Sequence, residues 1–397
     1  MEQMTLTSYY EESLKVHAKS KGLLEVASKV KVKETDDVTS IYIHGVADSC
    51  MHIAQNPGDA RKCTIKGNTI MVVSDGSSIA GQGNIGPLAA LPAVEGMAVL
   101  LKELGGIDAV PIPLDTQDTE EIIKTVKNIA PAFGGVILIG IASSRSYEIA
   151  SRLKNELEIP VFHDDVEGMA VAMGAATIGA FRLLGRELSD VSAVVCGAGP
   201  AGLAVTKMLS ALGVRDIVVC DSKGIIGVSR LLEFGESKLE LLEVSNKDGI
   251  TGSLADAVAG RHLFVGVSVP GALTKKMAES MAEDSVIFTM AQPGPEINSD
   301  LAKASGARIV GTGNADLPNY ITSVLASPGI FRGALDAETM HITEAMMSAA
   351  ANALASLVSE NELNEQYILP TIFKRGIVRT VADAVESECR IAGESNE

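Results

Sequence analysis

The sequence predicts an α/β protein, organised as two α/β domains with parallel sheets. Two observations support this prediction. From about residue 37, short apolar runs alternate with helical segments, which is typical of strand–helix–strand units. The run GGVILIGI (134–141) is continuously apolar, as expected of a parallel strand that is buried on both faces.

In the first part of the chain, a polar stretch precedes the alternating units. Residues 1–35 are predicted to be helical and polar. Strands are predicted at 70–76 and 108–114, because each is a short apolar run that ends at a turn. Helices are predicted at 88–107, which ends in glycines, and at 119–131, whose first turn is acidic.

The second part continues the alternation and ends in helices. We predict a first domain at 1–160, a second domain at 161–335, and C-terminal helices at 336–397 that pack back on the first domain. The elements predicted in the second part are a strand in 159–165, a helix at 168–184, a strand–turn–helix–strand unit in 192–221 and strand–turn units in 261–271, 285–297 and 307–313.

The composition is that of an acidic chain with enough apolar residues for large cores. Of 397 residues, 46% are apolar, and the formal net charge is −17. Binding to nucleic acid or to an anionic membrane needs clustered Lys and Arg, so we predict neither partner. We expect no signal peptide and no membrane span, and the five widely spaced cysteines lack a CxxC pair, which predicts reduced thiols in the cytoplasm.

The most specific motif is a glycine-rich turn between a strand and a helix. Gly197 permits a tight turn, Gly199 lets the backbone approach a pyrophosphate, and Gly202 allows close packing of the helix on the strand. The N-terminus of the helix offers free N–H groups to phosphates. The motif predicts a doubly wound, Rossmann-type second domain that binds a dinucleotide through the six residues Gly197, Ala198, Gly199, Pro200, Ala201 and Gly202.

Two further segments are predicted to complete the nucleotide site. Asp221, followed by Ser222, ends the next strand, where an acid binds a ribose 2′-hydroxyl and repels a 2′-phosphate, so NAD is favoured over NADP. Lys223 beside it keeps NADP open as an alternative. Val267 and Ser268, in the turn after a third strand, are expected near the nicotinamide half, although an ordinary turn is the alternative.

These motifs lie in segments that resemble the short bacterial and archaeal malic enzymes over almost the whole chain. The matching segments are IKGNTIMVVSDG (65–76), GNIGPLAALP (83–92), LDTQD (114–118), FGG (133–135), IPVFHDD (159–165), the GAG turn with VCDSKG, GSLADA (252–257) and SPGIFRGALD (327–336). The resemblance implies that NAD(P) oxidises malate, that a divalent cation assists loss of carbon dioxide, and that a Lys–Tyr pair transfers protons. It also implies a homodimer.

Several residues that the resemblance assigns to this chemistry differ here. The family tyrosine matches Tyr42, but the family lysine matches Met97, whose thioether cannot transfer a proton. Two of the family's three metal ligands match Ile139 and Gly140, and only the third, Asp165, is acidic. Mg²⁺ and Mn²⁺ bind several oxygen ligands. We therefore predict no metal site, and Tyr42 with Asp165 as catalytic residues.

Other candidates follow from the same comparison of positions. His44, beside Tyr42, is a departure from the family pattern and a third catalytic candidate, because histidine titrates near neutrality. Arg145 is predicted to bind a substrate carboxylate, with a structural ion pair as the alternative. Asp164 and Gln292 are also predicted to contact substrate, and Gln292 replaces a family asparagine.

Two residues beside these candidates keep alternatives open. Glu167 follows the Asp pair and could serve as an acid, a base or a metal ligand, or as an exposed structural carboxylate. His163 is part of the family pattern and is expected to be structural.

The residues leave three functions open. The first is an NAD-dependent oxidoreductase of this family that acts on a small hydroxy or oxo acid without ordinary metal-dependent decarboxylation. The second is a catalytically silent NAD-binding paralogue with a regulatory or scaffolding role. The third is a working decarboxylating malate dehydrogenase, which would need compensating residues.

Overall fold

A computed structural model describes residues 6–79, 81–234 and 236–394 of the chain. Within these ranges the chain forms two separate parallel sheets, each flanked by helices. One large core of buried side chains continues from the first sheet into the second, and smaller cores lie on the other face of each sheet. The predicted α/β fold with a Rossmann-type sheet is therefore confirmed.

The first sheet has the strand order β2-β1-β3-β4, and every pair in it is parallel. Its interior strand β1 is buried at every position, which explains why the sequence there is apolar without alternation. The strands are β1 (Thr69–Ser74), β2 (Asp108–Pro113), β3 (Gly135–Leu138) and β4 (Val161–His163). The helices are α1 (Leu6–Ser20), α2 (Thr35–Val38), α3 (Gly45–Gln55), α4 (Ala60–Cys63), α5 (Pro87–Gly105), α6 (Thr119–Ile129) and α7 (Ser143–Glu156).

The second sheet has the strand order β10-β9-β8-β5-β6-β7, in which β7 alone is antiparallel among the described strands. The chain order reverses between β5 and β8, and ligands bind at such a switch point in open α/β sheets. The strands are β5 (Ser192–Cys196), β6 (Asp216–Asp221), β7 (Gly224–Ile225), β8 (Leu263–Gly266), β9 (Val286–Thr289) and β10 (Ile309–Thr312). The helices are α8 (Met169–Leu183), α9 (Pro200–Ala211), α10 (Glu236–Val244), α11 (Leu254–Val258), α12 (Lys275–Glu279) and α13 (Ser299–Ala304).

The C-terminal helices are α14 (Ser327–Asp336), α15 (Glu344–Ser356) and α16 (Ile377–Glu394). Helix α16 packs closely on α14 because α14 presents glycines there. A Cβ added at Gly329 would lie 2.5 Å from the Cβ of Val381. Helix α14 also contacts α5, and α15 contacts α8, so the C-terminal helices contact helices beside both sheets.

Helix α8 begins after a π-helical turn at Asp164–Gly168 and runs through the main core. The stretch Asp164–Leu183 is long and apolar enough to cross a membrane, the one such stretch among the described residues, and 67% of it is buried inside the protein. Its burial between the sheets is that of a core helix.

Most predicted elements correspond to observed ones with small shifts at their ends. The helical prediction for residues 1–35 is wrong beyond α1, because residues 21–34 are not helical, and residues 1–5 lie outside the described residues. The strand predicted at 134–141 is Gly135–Leu138, and the helix predicted at 168–184 is Met169–Leu183. Strand β4 pairs with β3 in the first sheet, just beyond the predicted boundary at residue 160. The domain boundaries themselves stay predictions.

Candidate active site

The glycine turn after β5 has the geometry that its sequence predicts. Gly197 has φ +124°, and a Cβ there would lie 2.5 Å from the carbonyl oxygen of Val267. A Cβ at Gly202 would lie 1.8 Å from the carbonyl oxygen of Gly197. Both positions therefore require glycine for the chain to fold. A Cβ at Gly199 would meet no described heavy atom within 4 Å, so this glycine leaves open space for a ligand.

A cavity of about 620 Å³ lies at this turn, at the carboxyl ends of β5, β6 and β8. Six of the predicted cofactor residues line it: Gly197, Ala198, Gly199, Asp221, Ser222 and Ser268. Pro200 and Ala201 instead begin α9, while Gly202 and Val267 pack against Gly197. The free N–H groups at the N-terminus of α9 and the open space at Gly199 fit the pyrophosphate of a dinucleotide.

Asp221 is held by cations and also lines the cavity, and its binding to a ribose hydroxyl stays a prediction. Its two oxygens accept hydrogen bonds from Arg230 Nη1 and Nη2 at 2.9 and 2.8 Å, and from Lys238 Nζ at 2.7 Å. The backbone N–H of Lys223 donates another at 2.9 Å. Partial burial opposes ionisation, but the bonds from Arg230 and Lys238 outweigh it and hold the pKa of Asp221 well below its usual range.

A buried carboxylate that the sequence analysis missed holds the loops after β8 and β9. Glu296 is fully buried, and its side chain accepts hydrogen bonds from the backbone N–H groups of Ser268 at 2.8 Å and of Met290 and Ala291 at 3.1 Å. Backbone donors of this kind stabilise a buried carboxylate. In the segment Pro293–Glu296 an acid follows two prolines near a strand end, and this was the signal available in the sequence.

The position of the family's metal site lacks the oxygen ligands for a divalent cation. Asp165 is exposed, and its Oδ2 accepts a hydrogen bond of 2.7 Å from the backbone N–H of Gly140. The surrounding protein raises the pKa of Asp165, and this hydrogen bond opposes the rise. Ile139 is buried, and Ile79 closes the space beside Gly140, where a Cβ would lie 2.7 Å from Ile79 Cδ1. The site does not fit the metal.

The described residues contain no group of three or more His, Cys, Asp or Glu side chains that could hold a metal elsewhere. The absence of a metal site in this chain stays a prediction.

Among the described residues, no hydrogen bond or ion pair brings the predicted catalytic residues together. Tyr42 is 77% exposed, in the π-helical turn Thr39–Ile43, whose close contacts are to α2 and α3. His44 is also exposed, and among the described residues no hydrogen bond joins either side chain to Asp165. Met97 is partly buried and packs against the main core, as expected for a thioether in place of the family lysine.

Asp164 is a core residue, which argues against its predicted contact with substrate. It is 2% exposed and accepts hydrogen bonds from Ser323 Oγ at 2.5 Å and from Ser327 Oγ. Burial and the neighbouring Asp165 raise its pKa to about 7, although both serine hydroxyls oppose the rise. Ser323 and Ser327 therefore supply hydrogen-bond partners for the buried acid.

Arg145 makes the structural ion pair that the sequence analysis left open. Its Nη2 donates to Asp75 at 2.7 Å and to Ser77 Oγ at 2.9 Å, and Asp75 is fully buried. Gln292 is exposed in the loop after β9. Glu167 accepts hydrogen bonds from Lys154 and from the backbone N–H of His163, so it serves a structural pair.

The two sheets, with a glycine turn at the strand switch of the second, define a two-domain α/β protein with a dinucleotide-binding fold. Family models match both parts: malic enzyme, N-terminal domain, over residues 21–154, and malic enzyme, NAD binding domain, over residues 166–390. The chain belongs to the malic enzyme family, an oxidoreductase family, and the predicted family is confirmed.

Individual relatives agree with this assignment over most of their length. The chain is 47% identical to a bifunctional malic/malolactic enzyme of Bacillus subtilis (strain 168), over 95% of this chain and 92% of that protein. It is 48% identical to an NAD-dependent malic enzyme of Geobacillus stearothermophilus, over 92% and 76%. The crystal structure of an NAD-dependent malic enzyme from Thermotoga maritima superimposes with a TM-score of 0.89 and 38% identity, over 94% and 98%.

Proposed function

We propose that this chain is an NAD-dependent oxidoreductase that acts on a small hydroxy or oxo acid without the metal-dependent decarboxylation of its family. The observation that carries the proposal is the contrast between two parts of the cleft. The glycine turn leaves open space at Gly199 and lines a cavity of nucleotide size. The metal position offers Asp165 alone, with Ile139 and Gly140 where acids are expected.

In this proposal NAD would be held at the cavity beside Gly199 and would supply the hydride acceptor for the carbon that carries the substrate hydroxyl. Asp165 accepts the hydroxyl proton, and the hydroxy acid becomes an oxo acid without loss of carbon dioxide. Asp165 suits this role because it is exposed and because its pKa is raised, so that this pKa lies nearer to neutrality than that of an ordinary aspartate. The Gly140 N–H holds one of its oxygens.

A catalytically silent NAD-binding paralogue is the second candidate. It is favoured by the separate positions of Tyr42 and Asp165 and by the thioether of Met97 in place of a base. Such a protein would bind NAD and transmit its presence to a partner without chemistry.

One set of assays separates these candidates. NADH formation is followed at saturating NAD with a panel of 2-hydroxy acids, once with EDTA and once with Mn²⁺. The proposal expects turnover with at least one acid in EDTA, and a loss of about 100-fold or more in Asp165→Asn. NAD binding without turnover supports the silent paralogue. Robust turnover of malate that requires Mn²⁺ supports an ordinary malic enzyme.

The choice between NAD and NADP depends on the cations around Asp221. The relatives named NAD-dependent, together with an acid at this position, favour NAD. Arg230 and Lys238 favour NADP as the second candidate, because both lie beside the expected ribose and could pair with a 2′-phosphate. Lys238→Ala tests this: it should weaken NADP more than NAD if these cations bind phosphate. An equal loss for both cofactors would contradict that role.

We also propose a cytoplasmic homodimer that binds neither nucleic acid nor membranes. Exposed apolar side chains along residues 26–65 support the dimer, since a surface of this kind is typical of an interface. They include Val26, Val30, Ile43, Met51 and Ile65. Sedimentation equilibrium tests the assembly, and a single species of monomer mass at micromolar concentration would contradict it.

A further inference from the structure

A second cavity, separate from the nucleotide cavity, lies between helices of the two sheets. It has a volume of about 240 Å³ and is bounded by α7, α9, α15 and the turn that leads into α8. Its walls are mainly apolar, and Ala150, Val166, Leu203, Ala204, Met208 and Met347 are among them. The cavity is partly open to solvent, so a small molecule can enter it without unfolding the helices around it.

His163 borders this cavity and is the second observation that points to a ligand. It is 3% exposed, and neither of its ring nitrogens has a hydrogen-bond partner among the described residues. A buried polar group without a partner is unfavourable and is rare in folded proteins. The imidazole can donate one hydrogen bond and accept another. Both nitrogens are closed to solvent, so a small rotation of the ring or shift of the cavity wall would bring one of them to a ligand hydroxyl, which would supply the missing partner.

The charged groups at the rim of the cavity are already paired. Lys154 pairs with Glu167, and Lys207 donates to Glu240 at 2.6 Å. Tyr147 donates to the same Glu240, while Lys207 also lies 3.7 Å from Glu344. The two rim cations are therefore matched by acids, and an anionic ligand would have to displace them. The walls favour an uncharged molecule instead.

We propose that this cavity binds a small, uncharged, largely apolar molecule whose hydroxyl group hydrogen-bonds His163. The cavity lies next to residues of the candidate active site. His163 directly precedes Asp164 and Asp165, and Pro200, the first residue of α9 after the glycine turn, also lines the cavity. The proposal does not depend on the nucleotide or on any reaction.

Phenol and toluene test the site, because they have nearly the same shape and differ by one hydroxyl group. Each is titrated into the full chain labelled with ¹⁵N-histidine, and the His163 resonances report binding. We expect saturable binding of phenol at millimolar concentration, about fivefold tighter than toluene, which is the contribution of one hydrogen bond. His163→Leu should abolish this preference while toluene, followed by calorimetry, still binds.

A filling variant keeps the test decisive if His163→Leu does not fold. Ala204→Phe places a ring in the cavity and should abolish binding of both compounds. Ala345→Phe is the matched control, because Ala345 is exposed on α15 and does not line the cavity. The proposal is overturned if phenol does not bind at about 20 mM, if Ala204→Phe binds it as the wild type does, or if His163→Leu retains the preference.

Discussion

At the residue scale, the glycine turn separates the requirements of folding from those of binding. Gly199 has φ −89°, which any residue adopts, and open space beside it, whereas Gly202 contacts the backbone of Gly197. Gly199→Ala should therefore keep the melting temperature and weaken NAD at least about tenfold, because the added methyl occupies the pyrophosphate position. Gly202→Ala should lower stability by about 3 kcal/mol.

Thermal unfolding and calorimetric titration of both variants measure these effects. Equal NAD affinity of Gly199→Ala and the wild type would contradict the position assigned to the pyrophosphate. An unchanged melting temperature of Gly202→Ala would contradict the close contact in the turn.

Asp221 makes stability depend on pH. Its folded pKa lies below the unfolded value, so its ion pairs stabilise the protein above about pH 4 and lose that contribution as the pH falls further. Asp221→Asn should lower the free energy of unfolding by about 1–3 kcal/mol at neutral pH, and by less at about pH 3. Urea unfolding at both pH values tests this, with exposed Asp284→Asn as the control. A pH-independent difference would contradict the ion-pair account.

Residue types were easier to predict from the sequence than residue environments. The roles of Gly197, Gly199 and Gly202 follow from one local motif, and the structure reproduces the expected turn. The burial of Asp164 depends on Ser323 and Ser327, which are 159 and 163 positions away. No local pattern contains such long-range pairing. The cations around Asp221 come from α10 and the preceding turn. The sequence likewise did not indicate that these side chains point towards Asp221.

At the element scale, glycine spacing on α14 sets how closely α16 packs. A Cβ at Gly333 would lie 2.6 Å from the carbonyl oxygen of Ala382, whereas a Cβ at Gly393 would meet no described heavy atom within 4 Å. Gly333→Ala should therefore lower stability by about 1–3 kcal/mol through overpacking. Gly393→Ala, in the same pair of helices, should raise it by up to about 1 kcal/mol through helix propensity.

Denaturant unfolding of both variants gives the comparison. If both substitutions change the free energy of unfolding by the same amount in the same direction, helix propensity and not helix packing dominates at these positions.

Elements were predicted well where the apolar pattern is local. Strand β1 and helix α8 have continuous apolar sequences, because both are buried on several sides. The N-terminal segment has a weaker apolar pattern. Its exposed apolar residues are not buried by one strand or helix of the described chain, so a local pattern could not predict their surroundings.

At the scale of the whole molecule, the scaffold of the family is retained around altered chemistry. Malate decarboxylation should be at least about 100-fold slower than a working Lys base would permit, and Met97→Lys alone should not restore it. A triple variant with Ile139→Glu and Gly140→Asp adds the missing acids. Because Gly140 has φ +62° and faces Ile79, we expect activity only when Ile79→Ala is also present.

Steady-state NADH formation from malate with Mn²⁺ measures these variants. Restoration by Met97→Lys alone would show that another group binds the metal, and robust wild-type turnover would show that another base is present.

The central claim is that nucleotide binding is retained in a cleft that has no metal requirement. Calorimetric titration of NAD in EDTA, repeated with Mn²⁺ in place of EDTA, tests it most directly. The account predicts one NAD per chain with the same dissociation constant in both buffers, because the cavity at Gly199 and Asp221 is complete without a cation. No binding at millimolar NAD, or binding that appears only with Mn²⁺, would contradict it.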